Sequence, residues 1–153
     1  MIDWSCIDTV LLDMDGTLLD LHFDNFFWSE HLPHTYALRH QISKEESSAY
    51  LYGECGAEQG TLQWYSLDHW SQRLDLDIAA LKRELQHMIS ARPFAIEFLT
   101  QLHHSHRDVV MVTNAHRKTL EIKMDNVNIT HWFDRVVVSH LSLIQISEPT
   151  RPY

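Results

Sequence analysis

Two carboxylates stand two residues apart in one short turn, within Asp13-Met14-Asp15-Gly16-Thr17. Carboxylates that share a turn repel each other and lose solvent, and both effects make one of them easier to protonate. Their roles can therefore separate, because one stays ionised as a nucleophile while the other serves as a proton donor. Gly16 permits a sharp turn and a close backbone approach to a ligand, and Thr17 supplies a hydroxyl. The plainer alternative is an Asp-Gly turn that only closes a strand.

A second polar pair, Thr113-Asn114, directly follows the apolar run 109–112. A hydroxyl with adjacent backbone amides at the entry to a helix suits an anion, although an ordinary helix cap is the alternative. If both turns end parallel strands, Asp13 and Thr113 lie at the same edge of the sheet. In open parallel sheets, ligands bind at this edge.

Three short apolar runs predict the strands that would carry these turns: residues 6–12, 109–112 and 136–138. A helical period over 116–127 joins the second run to the third, which implies a right-handed crossover in a parallel sheet. The long stretch between the first two runs shows helical periods and no convincing strand. We therefore predict an α/β fold, a Rossmann-like parallel sheet sandwich with a helical cap inserted after strand 1.

The expected domains are an α/β core over 1–19 and 93–140, a helical cap over 20–92 and an atypical tail over 141–153. Within the cap, residues 51–60 hold three of the four glycines and predict a loop or a broken helix. A last helix is predicted from about Pro93, with Phe94, Phe98, Leu99 and Leu102 facing inward.

The amino-acid composition limits the classes of function that this chain can have. The chain has 153 residues, of which 44% are hydrophobic, and this is enough for one packed domain. Twelve Lys and Arg against 21 Asp and Glu give a net charge of −9, which argues against a nucleic-acid polymer as partner. No segment predicts a membrane span or a secretion signal, and Cys6 and Cys55 are expected to be free thiols. We expect a soluble cytoplasmic protein.

The two turns resemble the motifs of the haloacid dehalogenase superfamily, in which Asp-x-Asp-Gly-Thr follows an apolar strand and a Ser or Thr ends the next core strand. Asp13, Asp15, Gly16, Thr17 and Thr113 match position for position. The resemblance implies that Asp13 attacks phosphorus to form an aspartyl phosphate and that Asp15 protonates the leaving oxygen. Thr113, with Asn114 beside it, would hold the phosphoryl oxygens. Mg²⁺ would be bound by the Asp13 carboxylate and the Asp15 backbone carbonyl.

Within this superfamily the chain is similar to bacterial GMP/IMP nucleotidases from about Ile7 to about His140, above all through residues 11–21, 23–25, 62–71 and 112–116. The similarity implies a purine mononucleotide as substrate, and Trp64, Tyr65 and Trp70 could stack on the base. The alternative is that these aromatic residues form the core of the cap. Two further alternatives stay open: a sugar-phosphate phosphatase or phosphomutase, and a fragment that only binds a ligand or a partner. The sequence does not specify the oligomeric state.

After His140 the chain departs from the superfamily pattern, which would continue with a lysine-bearing motif and an acidic pair for the metal. No lysine follows Lys123, and the resemblance gives neither Lys118 nor Lys123 the role of the missing one. We therefore expect a truncated core and an impaired enzyme, in which strand 1 lies at an open edge of the sheet. Residues 143–146 are apolar enough to cover that edge.

Overall fold

Four strands form one sheet in the computed structural model, which describes residues 3–139 and the backbone of residues 142–144. Their order is β1 (Thr9–Leu12), β2 (Asp108–Thr113), β3 (Arg135–Val138) and β4 (Ser142–Ile144). The first three strands are parallel, and β4 runs antiparallel to β3. Because β1 and β2 are in parallel register, the turns after both strands meet at the carboxyl edge of the sheet, as predicted.

The first strand is shorter than the predicted run over 6–12. Residues Trp4–Cys6 form a 3₁₀ turn instead, and the carboxylate of Asp3 caps it by accepting a 3.0 Å hydrogen bond from the Ser5 amide. These local hydrogen bonds compete with strand pairing at residues 4–6. The apolar run therefore supplies a strand of four residues, in which Leu12 is buried.

Among the described strands, β1 lies at one edge of the sheet, as the sequence indicates. The prediction that residues 143–146 cover this edge is wrong for the residues that are described, because Ser142–Ile144 pairs with β3 at the opposite side. Leu11 of β1 is 66% exposed and Val112 of β2 is 39% exposed. The other residues of the predicted tail, 141 and 145–153, lie outside the described residues.

Helices make up the segment between β1 and β2, which confirms the helical insertion. Its α-helices are α1 (His22–Phe26), α2 (Leu32–His40), α3 (Lys44–Glu58), α4 (Leu67–Leu74) and α5 (Ile78–Glu84), with a π-helical turn at Phe27–His31 and 3₁₀ turns at Gln63–Tyr65 and Gln86–Met88. Helix α6 (Ala95–His103) leads into β2, and α7 (Arg117–Val127) joins β2 to β3. A 3₁₀ turn at Thr130–Trp132 precedes β3. Among the described residues, no helix is long and apolar enough to cross a membrane.

Helix α3 corrects the expectation of a loop or broken helix over 51–60, because it runs through both Gly53 and Gly56. Its first turn carries a capping box in which the Glu46 amide donates to Ser43 Oγ and the Ser43 amide donates to Glu46 Oε2, at 3.1 and 2.9 Å. Leu51 is buried in the middle of the helix. Capping and burial outweigh the cost of about 1 kcal/mol that each interior glycine imposes.

Helix α6 begins at Ala95, two residues later than predicted, and this turns Phe94 outward. Phe94 has a left-handed backbone with φ +66° and is 78% exposed, while Phe98 is 37% exposed. The inward face consists of Ala95, Leu99 and Leu102. The expectation of an inward face is therefore confirmed for Leu99 and Leu102 and wrong for Phe94 and Phe98. Phe94 lies before the first residue of the helix, and Phe98 lies about 100° around the helix from Leu99.

The two linkers between the insertion and the sheet are hydrogen-bonded to each other. The Asp20 amide donates to the Ser90 carbonyl and the Arg92 amide donates to the Leu18 carbonyl, both at 2.9 Å. These bonds form a short antiparallel bridge at Leu19. The insertion is thus joined to the sheet by a paired connection next to the Asp13 turn.

Candidate active site

The turn that carries both aspartates is held in a sharp bend after β1. The Gly16 amide donates a 2.9 Å hydrogen bond to the Leu19 carbonyl, and Gly16 has φ +77°. A Cβ atom at Gly16 would lie 3.3 Å from Leu21 Cδ1, so a side chain would be both strained and crowded there. Arg92 Nη1 donates to the Gly16 carbonyl at 2.6 Å. Backbone and arginine together fix the turn.

Asp13, Thr113 and Asn114 line one cavity of about 340 Å³ at the carboxyl edge of the sheet. Thr113 is 3% exposed, and its Oγ1 accepts a 3.0 Å hydrogen bond from the Ala115 amide. That bond leaves the hydroxyl proton able to donate to a ligand. Asp13 is exposed, so its carboxylate faces solvent from the same edge. The structure therefore brings the two predicted motifs together.

The second aspartate of the turn faces a different space. Asp15 lines a cavity of about 700 Å³ between the helical insertion and the sheet, where Lys82 and Asp24 lie at the same wall. The core contributes His116, which also caps α7. Aromatic side chains from the insertion line this cavity: Trp28, Tyr52, Trp64, Tyr65 and Trp70. Gly16 and Thr17 line neither of the two cavities.

A buried network of four charged side chains surrounds Asp15. Lys123 Nζ lies 2.5 Å from Asp15 Oδ1 and also donates to Asp24 Oδ2. The other carboxylate oxygen of Asp24 accepts a 2.8 Å hydrogen bond from Lys82 Nζ. Both lysine side chains are only 2% exposed, whereas the Asp15 side chain is 28% exposed. The network thus connects α5 to α7, and three of its members, Asp15, Asp24 and Lys82, line the cavity.

Burial and the neighbouring charges shift the pKa values of several members of this network. Burial raises the pKa of Asp15 above its ordinary value, and the Lys123 ammonium opposes this change without cancelling it. Burial alone would also raise the pKa of Asp24, but Lys82 and Lys123 outweigh it and the pKa of Asp24 is lowered. Burial lowers the pKa of Lys82. The two carboxylates therefore differ in the direction of their shifts, and Asp15 is the one that holds a proton more readily.

Sequence reasoning missed Asp24, Lys82 and Lys123. A signal was present: Lys82 follows Ile78 by four residues, and Lys123 follows Leu120 by three, so each lysine occupies an apolar helical position. A lysine at such a position is buried only when a partner compensates its charge. The spacing indicates burial, but it does not identify the carboxylates that pair with the lysines.

The three aromatic residues proposed for base stacking do not share one environment. Trp70 is 1% exposed, and its indole Nε1 donates a 2.9 Å hydrogen bond to the Trp64 carbonyl. Its ring packs edge-on against Trp28, with centroids 5.9 Å apart. Trp64 is half-buried and Tyr65 is 39% exposed, so both keep accessible surface at the cavity. Trp70 is therefore a core residue that supports Trp64.

A second ionic contact connects the insertion to the core beside the cavity. Asp68 on α4 accepts from Lys118 Nζ on α7, and His116 Nε2 lies 3.6 Å from Asp68 Oδ2. The Asp68 and Lys118 side chains are 62% and 47% exposed. Such exposed pairs contribute little to stability. The contact nevertheless shows that α4 lies close to α7.

Oxygen atoms of the aspartate turn fit a hard cation such as Mg²⁺. The Asp13 carboxylate is exposed at the sheet edge, and the Asp15 carbonyl belongs to the same turn. Within the described residues, no three His, Cys, Asp or Glu side chains are grouped closely enough to hold a metal ion. Mg²⁺ usually keeps several water ligands and needs only one or two carboxylates, so this donor set is compatible with it.

Two solved structures share the architecture. The crystal structure of a HAD phosphatase from Thermococcus onnurineus superimposes with a TM-score of 0.75 at 21% identity, covering 86% of this chain and 62% of that one. A putative beta-phosphoglucomutase from Thermotoga maritima gives a TM-score of 0.53 at 18% identity, covering 86% and 61%. At such low identities these similarities show the fold alone.

Curated relatives are closer in sequence. The GMP/IMP nucleotidase YrfG of Escherichia coli (strain K12) is 39% identical over 139 residues, and the protein of the same name from Shigella flexneri matches equally well. The match covers 91% of this chain and 63% of each relative, so the chain spans less than two thirds of their length. The model of the family "haloacid dehalogenase-like hydrolase" matches residues 10–143. The chain therefore belongs to the haloacid dehalogenase-like hydrolase family.

Proposed function

We propose that this protein is a magnesium-dependent phosphomonoesterase that acts on purine 5′-mononucleotides through an aspartyl phosphate. One observation carries the proposal: Asp15, on the turn that presents Asp13 at the sheet edge, lines an aromatic-walled cavity of about 700 Å³ between insertion and core. A phosphate at the turn and an apolar leaving group in the cavity would fit this arrangement. In this proposal residues 1–19 and 93–140 are the catalytic core and residues 20–92 are the cap.

Asp13 is the proposed nucleophile. An Asp13 carboxylate oxygen would form a bond to phosphorus while the bond from phosphorus to the ester oxygen breaks. The Thr113 hydroxyl and the Asn114 backbone amide, which line the same cavity as Asp13, would hold phosphoryl oxygens. The helix that follows them adds a favourable field for an anion, because its N-terminus faces this edge.

Asp15 is the proposed proton carrier. In the first step its carboxyl proton would pass to the leaving ester oxygen. In the second step its carboxylate would take a proton from the water that attacks phosphorus, which breaks the bond to Asp13 and releases inorganic phosphate. The position of Asp15 on the cavity that would hold the leaving group supports this role.

Mg²⁺ would be held by the Asp13 carboxylate and the Asp15 backbone carbonyl. When bound, the ion offsets the repulsion between an anionic nucleophile and an anionic phosphate. Gly16 and Thr17 would bind at the phosphate end, where the turn approaches closely and a hydroxyl is exposed.

The purine base would lie against Trp64 and Tyr65. These two residues keep accessible surface at the cavity, in contrast to the buried Trp70. The identity to GMP/IMP nucleotidases supports a purine as the leaving nucleoside. A small sugar phosphate would leave most of the aromatic wall without a contact.

The test is release of inorganic phosphate from GMP, IMP and glucose 6-phosphate, with Mg²⁺ and with a chelator. We expect release from both nucleotides, slower release from the sugar phosphate and none with the chelator. Asp13→Asn should abolish release, and Asp8→Asn, the same change at an exposed aspartate just before β1, should not. GMP binding without phosphate release would identify a binding fragment and contradict the proposal.

A further inference from the structure

Lys123 lies between two carboxylates at the base of the large cavity. Its ammonium is 2.5 Å from Asp15 Oδ1, it also donates to Asp24 Oδ2, and its side chain is 2% exposed. Asp15 and Lys123 are 108 residues apart in sequence, and the fold brings α7 next to the aspartate turn. Of the two carboxylates, only that of Asp15 is on the turn that also carries Asp13.

The position of Lys123 is fixed from the other side as well. Asp24 holds the lysine with one oxygen and accepts from Lys82 with the other, at 2.8 Å. The Lys82 ammonium lies 4.8 Å from the Phe23 ring centroid and 4.6 Å from that of Phe27. These rings exclude water and attract the cation, so the inner end of the network has little freedom to move.

The two carboxylates and two ammonium groups of the network balance in charge. Their mutual attraction offsets part of the desolvation cost of burying them. A packed apolar side chain at the position of Lys123 would satisfy the helix face at lower desolvation cost. The lysine instead directs a charge at Asp15, the member of the network that lies on the same turn as Asp13. The Asp15 side chain, 28% exposed, would otherwise be able to rotate into the cavity or toward solvent.

We propose that Lys123 is a positioning residue for Asp15, which it holds in the single orientation that points at the leaving group, while Asp24 and Lys82 fix the lysine. This inference rests on the proposed function for its catalytic consequence, but the orientation of Asp15 is a property of the protein itself. Catalytic groups displaced by about 1 Å lose on the order of 100-fold in rate. Lys123 therefore contributes to catalysis without touching the substrate.

The structural test is solution NMR of the full chain with labelled lysine and aspartate. We expect a slowly exchanging Lys123 ammonium signal with scalar couplings across hydrogen bonds to the Asp15 and Asp24 carboxyl carbons. Asp15→Asn should remove only the first coupling. In Lys123→Met, the three-bond couplings at the Asp15 methylene should average over rotamers, whereas Lys44→Met, an exposed lysine of the insertion, should leave them unchanged. Unaveraged Asp15 couplings in a folded Lys123→Met protein would overturn the proposal.

The kinetic test separates this inference from the proposed function. If the parent protein hydrolyses GMP, Lys123→Met should lower kcat on the order of 100-fold with little change in KM, and Lys44→Met should change neither. Equal losses in kcat and stability for both variants would contradict positioning.

If the parent releases no phosphate, the proposed function fails, and the NMR couplings still decide whether Lys123 orients Asp15. If Lys123→Met does not fold, the presence or absence of the coupling between the Lys123 ammonium and the Asp15 carboxyl carbon in the parent decides the same question.

Discussion

Arg92 donates through Nη1 a 2.6 Å hydrogen bond to the backbone carbonyl of Gly16. The bond connects the segment that returns from the insertion to the turn that carries both aspartates, 76 residues earlier. The Arg92 amide also donates to the Leu18 carbonyl, so one residue contacts the aspartate turn and the outgoing linker. The geometry of the turn is therefore coupled to the connection between insertion and sheet.

Arg92→Met should lower the free energy of unfolding by about 1 kcal/mol, because it removes a charge-assisted hydrogen bond and leaves the Gly16 carbonyl to solvent. Urea unfolding measures the difference. The control is Arg83→Met, which makes the same change at an exposed arginine of α5. Equal stabilities of the two variants would show that the Arg92 contact does not hold the turn.

Two glycine substitutions should act in opposite directions. Gly16→Ala should destabilise the protein by about 1–2 kcal/mol, because φ is +77° and the new methyl group would meet Leu21. Gly53→Ala lies inside α3 with nothing within 4 Å of its Cβ position, and it should stabilise the protein by about 0.5–1 kcal/mol. Thermal unfolding of both variants measures the sign. A destabilised Gly53→Ala would argue against a continuous α3.

Asp24→Asn should cost about 3 kcal/mol near neutral pH, because it leaves two buried ammonium groups with one carboxylate fewer. The pKa of Asp24 is lowered below its ordinary value of 3.8, so its carboxylate stabilises the folded state above that pH. This stability is lost as pH falls through the lowered pKa, where the parent protonates Asp24 too.

The stability difference between parent and Asp24→Asn should therefore be largest at about pH 7 and shrink at about pH 3. Urea unfolding midpoints across this range measure it. Asp125→Asn, at an exposed aspartate of α7, is the matched control and should show a small difference at every pH. A difference that is constant with pH would contradict the lowered pKa of Asp24.

Substitutions at Trp64 and Trp70 should have different effects, one on GMP binding and the other on the stability of the fold. Trp64→Leu should weaken GMP binding roughly tenfold, about 1.4 kcal/mol, through lost stacking, with a small change in stability. Trp70→Phe should cost about 1–3 kcal/mol of stability, because it removes a buried hydrogen bond to the Trp64 carbonyl and leaves a void. Calorimetric titration and thermal unfolding measure the two effects. The reverse pattern would place the base elsewhere.

The sequence predicts the sheet and the aspartate turn well because both depend on local signals. The apolar runs end in polar turns, so the register that brings Asp13 and Thr113 to one edge follows from parallel pairing. The N-cap of α5 is likewise a local feature, in which the Asp77 carboxylate accepts a 2.9 Å hydrogen bond from the Ala80 amide.

The predictions that were wrong or missing concern features that depend on tertiary packing. Gly53 and Gly56 favour a loop by composition, yet a capping box and burial of Leu51 hold a helix through them. The partners of Lys82 and Lys123 lie on other elements, so no local pattern could identify Asp24 or Asp15 as their counterions. The contrast between buried Trp70 and half-buried Trp64 also depends on how the helices pack, which residue type alone does not specify.

The most direct test of the account is peptide mass mapping after acid quenching of the chain during reaction with GMP and Mg²⁺. We expect one added phosphoryl group on the peptide that contains Asp13, absent in Asp13→Asn and present in Asp8→Asn. Phosphate release without a phosphorylated Asp13, a phosphoryl group on another residue, or no phosphoryl transfer at all would contradict it.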